Sequence, residues 1–286
     1  MDPTFISLLS GIAGGVLTKT FDGPLKSLED IWYSSIGYKT DKLRKIAELK
    51  NHDAIEKYKI GITTETSKIP QEDLHEPELS IAGPALEAST YYVTDNSIRN
   101  MFEKLIASSM DSRKDGIARV SFVEIVKQLS PVDAIFLKEF SLQKNLAIIL
   151  LQQTLKSGLH DTIKSNIVPN TFNIDSTLRP SLPSSIDNLQ RLGIVQASYT
   201  EPKNIDYDKF FKKTPEYLNA QQLIEKENDR MQRTIDFQEN VDKSLIPDDM
   251  ARASVLNKHY PSKLNLIPGI LRFTSFGKDF SSVCLN

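Results

Sequence analysis

Cysteine is nearly absent from this 286-residue chain, in which Cys284 is the single example. One thiol excludes an internal disulfide framework and any zinc or iron–sulfur centre built from several thiolates. The chain also lacks an excess of charge of either sign, because 35 basic and 37 acidic residues leave a formal net charge of -2. This balance excludes binding to nucleic acid through bulk positive charge alone.

Motifs for catalysis and ligand binding are also missing. The histidines share no ligand spacing, so we predict no metal site and no cofactor. Gly277-Lys278 lacks the upstream glycine and the following hydroxyl residue of a phosphate-binding loop, and no G-x-S-x-G elbow or G-x-G-x-x-G fingerprint occurs. A non-enzymatic protein is therefore favoured, while an enzyme remains open. The four histidines are His52, His75, His160 and His259.

An uncharged segment opens the chain, with sixteen residues from Pro3 to Thr18 before the first lysine. As a helix it would measure roughly 24 Å, which is short of the roughly 30 Å hydrocarbon core of a bilayer. The acidic start at Asp2 is unlike the basic start of a signal peptide. We expect a cytoplasmic protein, with a peripheral position at the inner membrane as an open alternative.

Small residues recur at every fourth position within this segment, at Ser7, Gly11 and Gly15. In a helix they would share one face with almost no side chains, which allows two helices to approach closely. One interpretation is a buried helix that packs in the core or across a dimer. The other is a helix that touches or conditionally inserts into a membrane. Both predict self-association or tight packing through this face.

Composition predicts a mainly α fold in two parts joined by a linker. Residues 1–60 are predicted to form a helical N-terminal unit, interrupted at Gly23-Pro24, because apolar residues recur there at helical spacing. Residues 61–76 are predicted to be a linker, since threonines, serines and acidic residues follow one another without periodicity. Residues 77–286 are predicted to form a helical body.

The C-terminal part of this body is predicted to be winged-helix-like, with a small β wing. Ser130-Pro131 opens one helix, a shorter helix ends at Gly193, and two short strands follow. The predicted module comprises 130–199 plus 269–284. Residues 200–268 are predicted to be a helical insertion, whose long helix starts at Thr214-Pro215.

In such a module the shorter helix is a candidate recognition helix. It would offer Ser185, Asn188 and Arg191 to a binding partner. From Ser121 to Val195 the chain has seven basic and six acidic residues. Because this surplus is a poor match for a phosphate backbone, a protein partner is favoured and nucleic acid remains an alternative.

One enzyme-like pattern remains. Arg252 and His259 are seven positions apart in a predicted helix, so both side chains would share a face. An arginine and a histidine at such a spacing mark small helical ribonucleases of bacterial defence. Ala253 departs from the polar residue usual after that arginine, and a chance pair is the favoured interpretation.

Five stretches together frame the region from Pro70 to the end. They are EPELSIAGPALEA at Glu76–Ala88, MFEKLIASSMD at Met101–Asp111, SFVEIVKQLSPVDA at Ser121–Ala134, SIDNLQRLGIV at Ser185–Val195 and FTSFGKDFSSVC at Phe273–Cys284. In order and wording these stretches resemble the bacterial Abi-alpha (abortive infection alpha) proteins. The resemblance implies an antiphage protein that halts the infected cell, and it carries over no catalytic residue. A phage-derived protein trigger and contact with the inner membrane are therefore expected partners.

Overall fold

The structure, a computed structural model, describes residues 18–36, 41–240 and 261–285. Contacts divide the chain into two units, a helical unit and a sheet unit. Within the described residues, the helical unit comprises those up to 142, together with 192–194 and 273–285. The sheet unit comprises residues 143–191 and 195–272, of which 241–260 are not described.

The helices and strands are numbered in chain order over the described residues. They are α1 (Thr18–Ile36), α2 (Asp41–Thr66), α3 (Leu79–Ser89), α4 (Asn96–Ser108), α5 (Val120–Lys127), α6 (Pro131–Ser141), β1 (Asn145–Thr154), β2 (His160–Ile167), α7 (Leu182–Arg191), β3 (Val195–Ser198), α8 (Tyr207–Phe211), α9 (Pro215–Asn240), β4 (Lys263–Phe273) and α10 (Ser275–Cys284).

The helical unit is built around α4, which contacts α2, α3, α5, α6 and α10. Apolar residues on α4 are almost wholly buried, among them Phe102 and Leu105. The Asp95 side chain caps the helix by accepting hydrogen bonds from the backbone N–H groups of Ser97 and Ile98, each at 3.0 Å. The centre of this unit is thus an amphipathic helix with a firm start.

Helix α1 continues through Gly23-Pro24, so the predicted interruption there is wrong. Leu25, Leu28 and Trp32 are buried, and α1 packs against α3. The burial of this apolar stripe stabilises the helix enough to offset the hydrogen bond that a proline removes. Helix α2 spans the expected boundary near residue 60 without a break.

The last helix, α10, begins at a cap formed by Thr274, whose hydroxyl accepts a hydrogen bond from the Gly277 N–H at 2.8 Å. Gly277 lies in the first turn of α10. Phe280 of this helix packs edge-on against Phe122, with ring centroids 5.3 Å apart. This contact ties α10 to α5 in the core of the helical unit.

The sheet unit contains a four-stranded antiparallel sheet in the order β2-β1-β4-β3. Strand β1 pairs with β4 along its whole length, from Asn145 opposite Arg272 to Thr154 opposite Lys263. Its other edge pairs with β2. The described chain is therefore mainly helical with a sheet larger than a wing.

The winged-helix prediction is wrong. That plan requires a short hairpin beside a helical core, whereas β1 and β4 are the long central strands of the sheet. The sequence of β1 is a continuous apolar run without the alternation that identifies a strand. The reason is that both faces of β1 are covered: Ile148 and Ile149 point to opposite faces, and both are fully buried. Only the last residues of β4 were predicted as a strand.

One face of the sheet carries the apolar core of this unit. Ala147, Ile149 and Leu151 alternate along β1 and pack in one cluster with Phe211 of α8 and Ala220 of α9. The predicted start of the long helix after Thr214 is confirmed, since α9 begins at Pro215. Residues of the expected insertion thus help to cover the sheet.

Candidate functional site

Two of the sets of site residues predicted from the sequence lie outside the described residues. These sets are the small-residue face at Ser7, Gly11 and Gly15, and the arginine–histidine pair at Arg252 and His259. Both remain predictions.

The third set lies on α7, which contacts β2 and β3 within the sheet unit. Ser185 is buried, whereas Arg191 is exposed and its guanidinium donates hydrogen bonds to Asn188 Oδ1 at 2.8 and 3.1 Å. The neighbouring Asp187 accepts a hydrogen bond of 2.6 Å from the Asn166 side chain. The role of α7 as a recognition helix depended on the winged-helix plan, which the structure does not have.

Metal and membrane sites can be assessed only over the described ranges. There, no group of three or more histidine, cysteine, aspartate or glutamate side chains is arranged to hold a metal ion. Among the described helices, none combines the length and apolar character needed to cross a bilayer.

A groove on the helical unit has the chemistry of a binding site. It encloses about 320 Å³ between the end of α3 and the outer face of α5. We call it the tyrosine groove. It is lined by Pro84, Glu87, Ala88, Tyr91, Tyr92, Glu124 and Lys127.

The two tyrosines of the groove follow α3 directly and differ sharply in their surroundings. Tyr92 is anchored, because its hydroxyl donates a 2.9 Å hydrogen bond to the Lys127 carbonyl and its ring lies 5.8 Å from that of Phe102. Tyr91 is 75% exposed. An aromatic ring of this size held in solvent beside a rigid helix is typical of residues that anchor a protein partner.

Charge in the groove is mainly negative. Glu87 and Glu124 contribute two carboxylates, and Lys127 contributes the single cation of the lining. Lys127 Nζ lies 2.9 Å from the Glu124 carboxylate, and this hydrogen bond raises the pKa of Lys127, with Tyr92 and Glu87 acting in the same direction. Because the ion pair is exposed, an incoming cation can compete for Glu124 at little cost.

The combination of two tyrosine rings and two carboxylates suits a cationic side chain with an apolar stem. Such a side chain can lie over an aromatic face while its charge reaches a carboxylate. Leu79, which is 66% exposed, lies two helical turns before Glu87 on α3 and extends the apolar surface of this helix. The groove is thus suited to a peptide segment rather than to a metal or a nucleotide phosphate.

Sequence reasoning missed this groove and singled out neither Tyr91 nor Tyr92. The available signal was an aromatic pair directly after a helix, followed by a helix with glutamate and lysine three residues apart on its polar face. That signal does not show that the two helices lie side by side.

The described chain is a mainly helical protein with a four-stranded antiparallel sheet. It belongs to the abortive infection alpha family, whose family model matches residues 50–284. The match covers both walls of the tyrosine groove and all of the described sheet. No curated protein and no solved structure matches the chain.

Proposed function

We propose that this chain is a non-enzymatic abortive-infection protein that recognises a phage protein and halts the infected cell through its N-terminal segment. Membership of the abortive infection alpha family supports the biological role. The observation that carries the recognition step is the exposure of Tyr91 in a groove whose lining also includes the carboxylates of Glu87 and Glu124.

The proposed occupant of the tyrosine groove is a segment of a phage protein that contains lysine or arginine. Charge complementarity is the reason, since the groove lining has two carboxylates against one lysine. A cation over an exposed tyrosine contributes about 0.5–1 kcal/mol, and apolar contact with Tyr91 and Pro84 adds to it. Binding through a few such residues is common at protein interfaces.

Phage challenge of groove variants tests this recognition step. Tyr91→Ala and Glu87→Lys are expected to abolish protection while leaving the unfolding temperature unchanged, because both side chains are exposed. Asp229→Lys is the matched control, since it reverses an exposed charge on α9 in the sheet unit. Full protection by both groove variants would exclude the groove as the recognition site.

Phage that escape the wild-type protein identify the occupant. Their changes are expected to remove lysine or arginine from one segment of one phage protein. A peptide with that segment should bind wild-type protein and bind Tyr91→Ala at least about tenfold more weakly, as for the loss of an interface anchor. The proposal would be contradicted if the escape mutations fell only in phage enzymes of nucleic-acid metabolism and the Tyr91→Ala protein bound the peptide as tightly as the wild-type protein.

The proposed effector is the uncharged segment that precedes α1. Buried Leu25, Leu28 and Trp32 attach α1 to the helical unit, so a change in that unit can reach the segment. The proposed effect is self-association at the inner membrane through the face that contains Gly11 and Gly15. Gly11→Leu/Gly15→Leu should prevent early entry of a membrane-impermeant DNA dye after infection. If the wild-type protein and the double variant protect equally and neither allows dye to enter, the segment acts only as a scaffold.

A ribonuclease remains a second proposal, supported by the spacing of Arg252 and His259. It predicts that His259→Ala loses protection and that cellular RNA stays intact in the variant. Unchanged protection by a folded His259→Ala protein would exclude it.

A further inference from the structure

A second cavity of the helical unit is surrounded by positive charge. It measures about 220 Å³ and lies where the ends of α2 and α4 meet the loop that follows α4. We call it the lysine pocket. Its cationic lining residues are Lys68, Lys104, Arg113 and Lys114, and its acidic lining residues are Glu65 and Asp111.

Two of the four cations are neutralised by nearby carboxylates. Lys68 pairs with Glu65 at 2.7 Å. Arg113 pairs with Asp111 through two hydrogen bonds of 2.7 and 2.8 Å, and Asp73 lies 3.6 Å from its Nε. The carboxylates around the pocket are therefore already engaged by Lys68 and Arg113.

Lys104 and Lys114 differ from this pair, because neither lies within ion-pair distance of a carboxylate of the described residues. Both instead donate to carbonyl oxygens at the end of α10. Lys104 Nζ lies 2.5 Å from the Leu285 oxygen, and Lys114 Nζ lies 2.7 Å from the Ser282 oxygen. Each ammonium group has two further N–H bonds with which it can bind a ligand.

The charge of these lysines exceeds what α10 can offset. The C-terminal end of a helix carries about half a negative charge, whereas the two ammonium groups carry two positive charges. Burial lowers the pKa of Lys104; the Glu65 carboxylate opposes this shift, and Lys68 and Lys138 add to it. A partly buried cation is stabilised by an anion that enters the pocket.

We propose that the lysine pocket binds a small ligand through a phosphate group. Arg113 is already held in a two-bond pair by Asp111, so the free donors belong to lysines, which bind phosphate as point charges rather than by the paired geometry that suits a carboxylate. A cavity of about 220 Å³ is large enough for a phosphate with part of an attached group. This site is separate from the tyrosine groove and shares none of its lining residues.

Isothermal titration of the full chain with inorganic phosphate tests the proposal, with chloride at the same ionic strength as the reference. Adenosine monophosphate and adenosine form two further arms. The variants are Lys104→Met/Lys114→Met, and Lys114→Met alone in case the double variant does not fold. Lys278→Met is the matched control, because it removes an exposed lysine from the first turn of α10, at the opposite end of that helix from Leu285.

The wild-type protein and Lys278→Met are expected to bind phosphate equally. Each pocket variant should bind at least about tenfold more weakly, which corresponds to the loss of one charge-assisted hydrogen bond. Tighter binding of adenosine monophosphate than of phosphate would identify a phosphate ester as the ligand, and the reverse would identify free phosphate. Equal heats in phosphate and chloride, binding of adenosine as tight as that of its monophosphate, or undiminished binding by Lys114→Met would overturn the proposal.

Discussion

The carbonyl oxygen of Ile194 occupies the space that a side chain at Gly277 would need. Two hydrogen bonds fix this close approach. The Thr274 N–H donates to the Ile194 carbonyl at 3.0 Å, and the Thr274 hydroxyl donates to the Gly193 carbonyl at 2.6 Å. Gly193 itself has a φ of 74°, which favours glycine. Within the helical unit, Gly193 and Ile194 are thus joined through their backbones to the residues that begin α10.

Gly277→Ala should destabilise the protein by about 3 kcal/mol or more, because the new methyl group meets a backbone atom that cannot rotate away. The better helix propensity of alanine would offset only about 1 kcal/mol of this loss. Urea unfolding followed by circular dichroism measures the difference. Ser275→Ala, an exposed change in the same turn, is the control and should alter stability little. Equal stability of both variants would contradict the close contact.

The buried carboxyl group of Glu103 predicts a pH dependence of stability. Its side chain is 7% exposed and lies 3.1 Å from Arg99, yet burial raises its pKa from 4.5 to about 7. The folded state therefore holds a proton that the unfolded state releases between these pH values. Stability falls as pH rises through this window and levels off above about 7, with a total loss of up to about 3 kcal/mol.

Urea unfolding at pH 5 and pH 8 checks this dependence. Glu103→Gln cannot ionise and should lose most of the difference between the two pH values. Glu124→Gln, at an exposed carboxylate on α5, should retain the difference shown by the wild-type protein. A Glu103→Gln protein with the full wild-type dependence would show that another group causes it.

The sequence was sufficient for the fold where signals are local. Ser130-Pro131 predicted a helix start, and the structure contains a full capping box there, with Ser130 and Asp133 bonded to each other's backbone. Strand β4 had no such signal, because Pro268 and Gly269 lie in its interior and normally argue against a strand. Gly269 is needed there because the Tyr199 ring packs directly on it, a contact between residues 70 positions apart.

The candidate site was less predictable than the fold. Sequence periodicity shows which face of a helix is apolar, but it does not show which helices are neighbours. The tyrosine groove depends on such a neighbour relationship, since the Tyr92 hydroxyl reaches the Lys127 carbonyl across 35 positions. The exposure of Tyr91 likewise depends on how α3 ends against α5. Both facts arise from tertiary packing, which one sequence does not reveal.

Tyr199→Phe should destabilise the sheet unit by about 1–3 kcal/mol, the usual effect of leaving a buried polar group unpaired. The Tyr199 hydroxyl accepts a 2.9 Å hydrogen bond from the Asn166 N–H and donates a 3.0 Å bond to the Asn166 side chain. Asn166 is buried and has a φ of 56°, so these bonds hold a left-handed backbone conformation that is uncommon for residues other than glycine, although asparagine tolerates it better than most. Thermal unfolding compares this variant with Tyr91→Phe, which should match the wild-type protein.

Gly61 and Gly83 provide a matched pair of helical glycines with opposite expected effects. A methyl group at Gly61 on α2 would collide with the buried Glu103 carboxylate, whereas at Gly83 on α3 the nearest atom, on Leu79, lies 4.0 Å away. Gly83→Ala should therefore stabilise the protein by up to about 1 kcal/mol through helix propensity. Gly61→Ala should destabilise it by about 1–3 kcal/mol through overpacking.

Urea unfolding of the two alanine variants at pH 5 and pH 8 measures both effects and links them to the carboxyl group. Because the collision pushes Glu103 out of its position beside Arg99, Gly61→Ala should also weaken the pH dependence of stability, whereas Gly83→Ala should leave it intact. Two alanine variants of equal stability, or an unchanged pH dependence in Gly61→Ala, would mean that Glu103 moves aside freely. The interior of the helical unit would then be less tightly packed around α4 than the structure shows.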